Sequence, residues 1–259
     1  MRVHNRLVKE RRDALVDLLA EGGRARVADL AAYFDVSALT IRRDLDTLAD
    51  EGIVRRMHGS VELIDPLGGP MNSRAITAKL AIAREAARLV EDGDTVFVNT
   101  SSTALSVLEH ITAQNVTVVT NNGRALQLTL PPNLSVILTG GDARLPKWSM
   151  TGEFALKSVR SVNAAKAIMG CSGLSAKGGI TTLVSHETSI NSLMIENADM
   201  HIVVADGTKI GMSASFRYGT PDQIDMLVTD ESADPAELAR LERAGVRMVM
   251  KPGERLLDD

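Results

Sequence analysis

From Ile76 onward, short β-branched runs recur along the chain: TVFVNT, VTVVTNN, LSVILTGG, AKAIMGCSG, HIVVADGTK and MLVTD. Between most of them lie helical stretches such as SSTALSVLEHI (101–111) and HETSINSLMIENA (186–198). The runs are apolar throughout, as strands buried on both faces must be. Strands that alternate with helices in this way predict an α/β domain whose mostly parallel sheet is covered on both sides. PAELARLERAG and VRMVM supply a last helix and strand before a polar tail. Aromatic residues make up only 3% of the chain, so the core has to be built mainly from Ala, Val, Leu and Ile. No repeat of fixed period and no low-complexity segment is visible.

The first sixty residues follow a different rhythm. NRLVKERRDALVDLLAEGG sets Leu7, Ala14, Leu15, Leu18 and Leu19 at helical spacing and stops at Gly22-Gly23. VADLAAYF is a short second helix that offers Leu30, Ala31 and Phe34 to a core. Asp35-Val36-Ser37 makes a tight turn, with the Ser37 hydroxyl placed to cap the next helix. That helix runs over residues 38–50 and ends at Gly52, a residue suited to a left-handed stop. GIVRRMHGS follows as a β-ribbon. VELIDPLGGPMNSRA, with two prolines and a Gly-Gly pair, reads as a linker. The expected domains are therefore residues 1–60, a linker over 61–75, and the α/β domain over 76–259.

At about 100° per residue, Ile41, Leu45 and Leu48 form one inward stripe on the third helix. Arg43 lies nearly opposite, with Leu39, Thr40, Asp46 and Thr47 around it, and Arg42 sits on the flank. An apolar inner face, a three-residue turn before it and an outer face of Thr and Arg match the recognition helix of a helix-turn-helix. Arg43 would reach base edges or backbone in the major groove, and Arg42 a phosphate. Arg55, Arg56 and His58 would form a basic wing beside the same duplex. The bland alternative is a solvated face whose arginines pair with Asp46, Asp50 or Glu51. A lone Arg-Arg pair would favour that alternative; the coincidence of turn, cap, stripe and wing favours double-stranded DNA. The candidate contacts are Ser37, Leu39, Thr40, Arg42, Arg43, Thr47, Arg55, Arg56 and His58.

Charge sharpens this picture. The net charge of -4 argues against a protein that coats nucleic acid or an anionic membrane. Residues 1–60 nevertheless carry eleven Lys+Arg against ten Asp+Glu, while the rest carries eighteen against twenty-three. Cys171 is the only cysteine, which excludes an intrachain disulfide and a multi-cysteine metal site. No apolar run approaches the ~18 residues of a membrane span, and no signal-peptide stretch opens the chain, so a cytoplasmic location is expected.

VADLAAYFDVSALTIRRDLDTLADEGIVRRMHGS resembles the N-terminal domain of the DeoR-type sugar-operon regulators, whose pattern is V-S-x-x-T-I-R-R-D-L and a wing ending in H-G-G. Ser60 stands where that family usually has its second glycine. The resemblance implies a winged helix-turn-helix that binds operator DNA as a repressor. Paired half-sites in such operators call for a homo-oligomer, a dimer or tetramer.

In a parallel α/β sheet, ligands bind beyond the carboxyl ends of the strands. Those ends read Asn99-Thr100-Ser101-Ser102-Thr103, Thr120-Asn121-Asn122-Gly123, Thr139-Gly140-Gly141-Asp142, Gly170-Cys171-Ser172-Gly173 and Asp206-Gly207-Thr208-Lys209, with Arg144 nearby. Small hydroxyl residues, glycines and two cations suit a phosphorylated, hydroxyl-rich molecule, and Ser101-Ser102-Thr103 opens a helix whose dipole attracts an anion. Any one such loop is more simply an ordinary turn; several converging loops argue for a site. DGDTVFVNTSSTAL, VVTNN, LTGG, GCSGLSAKGGITT and VVADGTKIG then resemble, in order, the sensor domain of the same family, similar in fold to ribose-5-phosphate isomerase. The resemblance implies phosphate and sugar contacts at Ser101, Ser102, Thr103, Thr120, Asn121, Gly140, Gly141 and Lys209, to which the strand ends add Asn99, Arg144, Gly173 and Asp206. Asn99 and Ser101 replace a common Asp and Gly, and Asn191-Ser192 replace a frequent basic pair.

Weaker signals complete the reading. One His beside one Glu at His186-Glu187 falls far short of a metal set. GLSAKGGI lacks the G-K-[ST] ending of a phosphate loop. Cys171 has no His–acid pattern to activate it, and Met212 and Met226 read as core. No cofactor or metal is expected. The rival is an active sugar-phosphate isomerase or hydrolase with a DNA-binding appendage. It needs a general base, for which Asp142, Glu187 and Asp206 are the candidates.

Overall fold

The computed structural model describes residues 8–252 except 9, 10, 13, 17, 20–23, 51, 52, 58, 64–72 and 146, with only the backbone of 50 and 73–76. The chain divides into two compact units, Met1–Thr77 and Ala78–Asp259.

In the first unit, described residues between 8 and 19 are helical and bury Leu15 and Leu19 completely. Strand β1 (Arg24–Arg26) leads into helix Val27–Tyr33, and helix Ala38–Asp50 follows the turn. Strands β2 (Val54–Met57) and β3 (Ser60–Leu63) complete an antiparallel sheet in the order β1-β3-β2. Leu30, Ile41, Leu45 and Leu48 meet Leu15, Leu19, Val54 and Val61 in one core, so the predicted inward stripe is real. Leu7, Gly22, Gly23, Gly52 and His58 fall outside the described residues.

Two boundaries differ from expectation. The wing continues past residue 60, because Val61 and Leu63 are buried while Glu62 between them is not, a period-two strand that the prolines and glycines downstream obscured. Helix Ser73–Ala87 likewise starts inside the span read as linker. Strand β1, Arg-Ala-Arg, has no strand-forming composition and exists because β3 offers it a partner.

In the second unit, β4 (Thr95–Val98), β5 (Val116–Thr120) and β6 (Leu134–Leu138) form one half of a seven-stranded sheet. The ribbon β7 (Asp142–Arg144) and β8 (Ser149–Thr151) comes next. Strands β9 (Ala164–Gly170), β12 (Ala198–Val204), β14 (Met226–Val228) and β15 (Met248–Met250) supply the other half. The order is β15-β14-β12-β9-β4-β5-β6 and every pairing is parallel. Val96, Val98, Ile168 and Ile202 face a core with Ile82 and Leu105, whereas Phe97, Met169 and Val203 face one with Val159, Ile190, Met194 and Leu241. Two separate cores confirm a sheet covered on both sides.

A small antiparallel sheet of β10 (Gly173–Ser175), β11 (Gly179–Thr182) and β13 (Phe216–Gly219) stands apart from the main one. GLSAKGGI is therefore a hairpin, not a phosphate loop. The expected helix 101–111 is α-helical over Ser102–Val107 and tightens to a 3₁₀ turn at Leu108–His110. Met226 is core as expected, but Met212 is 57% exposed, being in a loop after the Gly207–Lys209 turn rather than in a strand.

Candidate functional site

Local chemistry sets the recognition helix before any partner is considered. Asp35 takes a left-handed φ of 49° in the turn, and Ser37 Oγ accepts the Thr40 backbone N–H at 3.1 Å. The cap satisfies one of the helix's open donors. Asp44, only 2% exposed, faces inward, where Arg11 Nε donates to it at 2.7 Å and Arg12 Nε at 3.1 Å. Two guanidiniums from the first helix thus clamp the recognition helix at its middle. The neighbouring Arg42 and Arg43 are exposed, and their guanidinium groups have no hydrogen-bond or ion-pair partner among the described residues. Leu39 is 57% exposed beside them, and Thr47 donates its hydroxyl to the Arg43 carbonyl at 3.2 Å.

The wing differs in one respect from the expectation of free cations. Arg55 pairs with Glu62 directly across the β2–β3 ladder at 2.6 Å, and Arg56 pairs with Asp46 of the recognition helix. Phosphates would have to compete with those carboxylates. Ser60, the departure from H-G-G, is 6% exposed and accepts from Arg24 Nη2 at 2.8 Å, so its hydroxyl ties β1 to β3. Gly59 before it takes φ +72°, which a glycine adopts freely at the wing turn.

In the second unit β4 is central: the chain continues to β5 and β6 on one side and returns with β9 on the other. The carboxyl ends of β4 and β9 thus flank the point where strand order reverses, the usual ligand crevice of such a sheet. Asn99 bridges the two ends, accepting from Gly170 N–H at 3.0 Å and donating to the Gly170 carbonyl at 2.9 Å. Asn99 was expected among ligand contacts; it is 2% exposed and its amide is committed to the backbone. Ser101 Oγ caps the next helix, accepting from Thr103 N–H at 3.2 Å and Ala104 N–H at 3.4 Å. Two of the helix N–H groups predicted to be open to an anion are therefore already used. The Ser102 and Thr103 hydroxyls have no hydrogen bond among the described residues. Any Cβ at residue 170 would stand 1.9 Å from Ser101 Oγ, so glycine there is what lets the cap close on β9.

Several of the other predicted residues serve the framework. Thr120 and Asn121 are fully buried; Thr120 Oγ1 accepts from Asn122 N–H, and Asn121 Nδ2 donates to the Met150 carbonyl. Gly141, at φ +101°, would place a Cβ 2.4 Å from the Thr151 carbonyl, and Gly140 lies beside it at φ +69°. Gly173 is pressed against the Met212 backbone, a packing role rather than a contact role. Arg144 is exposed on the β7–β8 ribbon. Asp206 caps the turn carrying Lys209 by accepting from Thr208 N–H at 3.0 Å. Burial pushes the Cys171 thiol up to about 12; Lys209 pulls it back down and Asp206 pushes it up, which places all three groups within one another's field.

Sequence reasoning named Glu187 only beside His186 and as a candidate general base for the rival enzyme, and missed its partners. Its carboxylate is 3% exposed, 3.4 Å from Lys147 Nζ and 3.3 Å from Thr182 Oγ1. Tyr218 donates its hydroxyl to the Gly170 carbonyl at 2.8 Å, and burial raises its pKa, assisted by Cys171 and Glu187. Glu187 therefore lies by the same strand ends as Cys171. The signal for it was the glutamate preceding a helix; its Lys147 partner, forty residues away, had none.

Residues 74–231 match the DeoR C terminal sensor domain and residues 11–66 the DeoR-like helix-turn-helix domain. The chain belongs to the DeoR family. This regulator is 30% identical over 244 residues to the HTH-type transcriptional regulator GolR of Listeria innocua, covering 92% of this chain and 96% of that one. It is 30% identical to the glycerol-3-phosphate regulon repressor of Escherichia coli over 85% and 90% of the two chains. Ribose 5-phosphate isomerase A of Methanocaldococcus jannaschii resembles it at TM-score 0.37, with 16% identity over 51% of this chain and 52% of that one. The named relatives are regulators and repressors, not enzymes. Of the candidate bases, Glu187 is paired with Lys147, Asp206 serves as a cap, and Asp142 is exposed on the ribbon. The regulator reading stands over the isomerase. No helix among the described residues is long and apolar enough to cross a membrane.

Proposed function

We propose that this DNA-binding regulator represses a carbohydrate operon from the cytoplasm, as a dimer or tetramer, and leaves its operator when a phosphorylated sugar binds the sheet edge. The placement of the Ser101 cap where β4 and β9 part carries the effector half of this reading. The Ser102 and Thr103 hydroxyls and the Lys209 cation stand there for a phosphate, which takes hydroxyl and ammonium donors equally well. The relatives named for the glycerol-3-phosphate regulon and the aga operon support a sugar-derived signal.

A ligand releases DNA only if it binds the DNA-free conformation more tightly, and the coupling is reciprocal. Replacing Ser102 and Thr103 by alanine is therefore expected to remove the sugar phosphate's effect while operator affinity without ligand stays as in wild type. Electrophoretic mobility shift with and without the sugar phosphate measures both. A ligand effect of wild-type size in the double variant would place the effector elsewhere.

A further inference from the structure

The two flanks of the seven-stranded sheet are finished differently. On one, β15 is three residues long and is bracketed by Arg247 and Lys251, which pair with Asp225 at 2.6 Å and Glu231 at 3.4 Å. Short strands and bracketing charges keep an open strand from pairing with another chain. On the other, β6 has five residues, Leu-Ser-Val-Ile-Leu, and among the described residues a neighbour on one side only. Residues 125–141 include no charged residue, in a chain that is 24% charged. The Thr139 N–H donates to the Thr120 carbonyl at 3.0 Å, so Thr139 is turned toward β5. Successive residues of a strand turn their N–H and C=O to opposite sides, so those of Val136 and Leu138 point outward. Leu134 points outward as well, with its N–H taken by the Pro131 carbonyl at 3.2 Å. The side chains of Leu134, Val136 and Leu138 face one core, and Ile137, on the opposite face, is 49% exposed. Helix Glu153–Arg160 stands beside that opposite face: Ser158 donates its hydroxyl to the Thr139 carbonyl at 2.8 Å, and Phe154, one turn earlier, is 76% exposed.

We infer that the open flank of β6 takes a second copy of this chain, the two β6 strands pairing antiparallel about a twofold axis at Val136 so that two sheets become one. The inference rests on reading the regulator as a homo-oligomer. A twofold contact uses the same patch on both copies, so the patch has to complement itself. This strand does: Leu-x-Val-x-Leu reads the same in both directions, and each Leu134 comes to lie opposite Leu138 of the other copy. Val136 and its counterpart exchange N–H and C=O, and each Leu138 N–H reaches the Leu134 carbonyl across the axis. The two Ile137 side chains lie diagonally across the axis, within reach of one another. A partner recognised by charge finds nothing to hold over residues 125–141, whereas an identical uncharged strand finds a full set of backbone groups. A ladder of five residues is narrow beside the roughly 1,200–2,000 Å² that specific interfaces bury, and the exposed Ile137 and Phe154 widen it.

Analytical ultracentrifugation of the full chain tests the flank. The wild type is expected to sediment as a dimer or tetramer. Ile137→Lys places a cation where the side chain already reaches solvent, so each copy keeps its fold while two lysines meet across the axis. A dimer is then expected to fall to monomers, or a tetramer to dimers, with the dissociation constant raised about a hundredfold or more. An equal mixture of Ile137→Lys and Ile137→Glu chains is expected to associate again, because the repulsion becomes an attraction. Met248→Lys, on the opposite flank, is expected to assemble as the wild type does. Val136→Cys is expected to give a covalent dimer under mild oxidation, since opposed Cα atoms about 5.5 Å apart lie within disulfide reach. The wild type, with Cys171 alone, is the blank for that reaction. Should Ile137→Lys not fold by circular dichroism, the cross-link decides alone. Unchanged assembly of folded Ile137→Lys, or no cross-link in Val136→Cys, overturns the interface and leaves the homo-oligomer standing. A wild type that stays monomeric overturns both.

Discussion

Arg42 and Arg43 stand exposed, their guanidinium groups with no partner among the described residues, whereas Asn99, Thr120 and Asn121 at the sheet edge are at most 2% exposed. The DNA-binding face is finished before its partner arrives: a cap, a clamp on Asp44, and two guanidiniums left in water. The sheet edge is organised from within, with Asn99, Ser101 and Asp206 bonded to backbone and only a few side chains left over for a ligand. A large polyanion is met by projecting charges whose solvation is lost late, while a small molecule has to be enclosed by groups already fixed in place. Substitutions in the first unit should therefore separate support from contact cleanly.

Asp44→Ala should break that separation most severely. It leaves Arg11 and Arg12 without their carboxylate, at a cost of about 3 kcal/mol, the low end for a buried pair because both arginines reach solvent. Thermal unfolding of the first unit is the measurement, and an unchanged melting temperature would show the clamp to be idle. Arg43→Ala touches no core residue and should leave stability alone. Operator affinity should fall about ten- to a hundredfold, the 1–3 kcal/mol of one good base contact, while affinity for random duplex falls much less. Equal losses on both duplexes would reduce Arg43 to a phosphate contact.

Salt dependence gives a finer comparison. Arg42→Ala should flatten the slope of log affinity against log salt by about 0.9, one phosphate's worth. Arg56→Ala should flatten it less, since Arg56 is already neutralised by Asp46. Equal changes would mean that DNA displaces the carboxylate completely. The smallest effect concerns Cys171. Its thiol, raised to about 12, stays protonated in the folded chain, so alkylation at pH 8 should be slow until the protein is denatured. Because the folded value lies above the unfolded one, the thiol's contribution to stability is intact below the ordinary thiol value and is lost as pH rises toward the folded value.

Much of the first unit was legible because one helix carries both signals: Ile41, Leu45 and Leu48 fix its inner face, and what remains is the outer face. The partners of Arg55 and Arg56 were not legible. Glu62 lies on the strand concealed in the presumed linker, and Asp46 was weighed as a partner for the arginines of its own helix, not for the wing. In the second unit the apolar strands declared the sheet, and its strand ends were found residue by residue. Which of those residues support and which face a ligand was not legible, since Asn99 and Thr103 look alike as polar turn residues until Gly170 is seen to pair with one of them. Strands β7, β8, β10 and β11 escaped notice because they are three or four residues long, and the last three are rich in Gly, Ser and Thr.

The sheet's order also has a consequence for synthesis. Val96 in β4 pairs with Lys166 in β9, seventy residues later, while its other neighbour, Val118, comes after only twenty-two. At about 5–20 residues per second, one side of β4 waits several seconds after its emergence for the strand that covers it. Throughout that interval an apolar strand edge is open to any passing chain. The winged unit, complete by then, needs nothing from β9 to form its own core. A chain interrupted in that window would thus carry a finished DNA reader and an adhesive half-sheet in place of a sensor domain. Ribosome-stalled chains ending before and after residue 170 would reveal it, the shorter ones sedimenting with aggregates and the longer ones not.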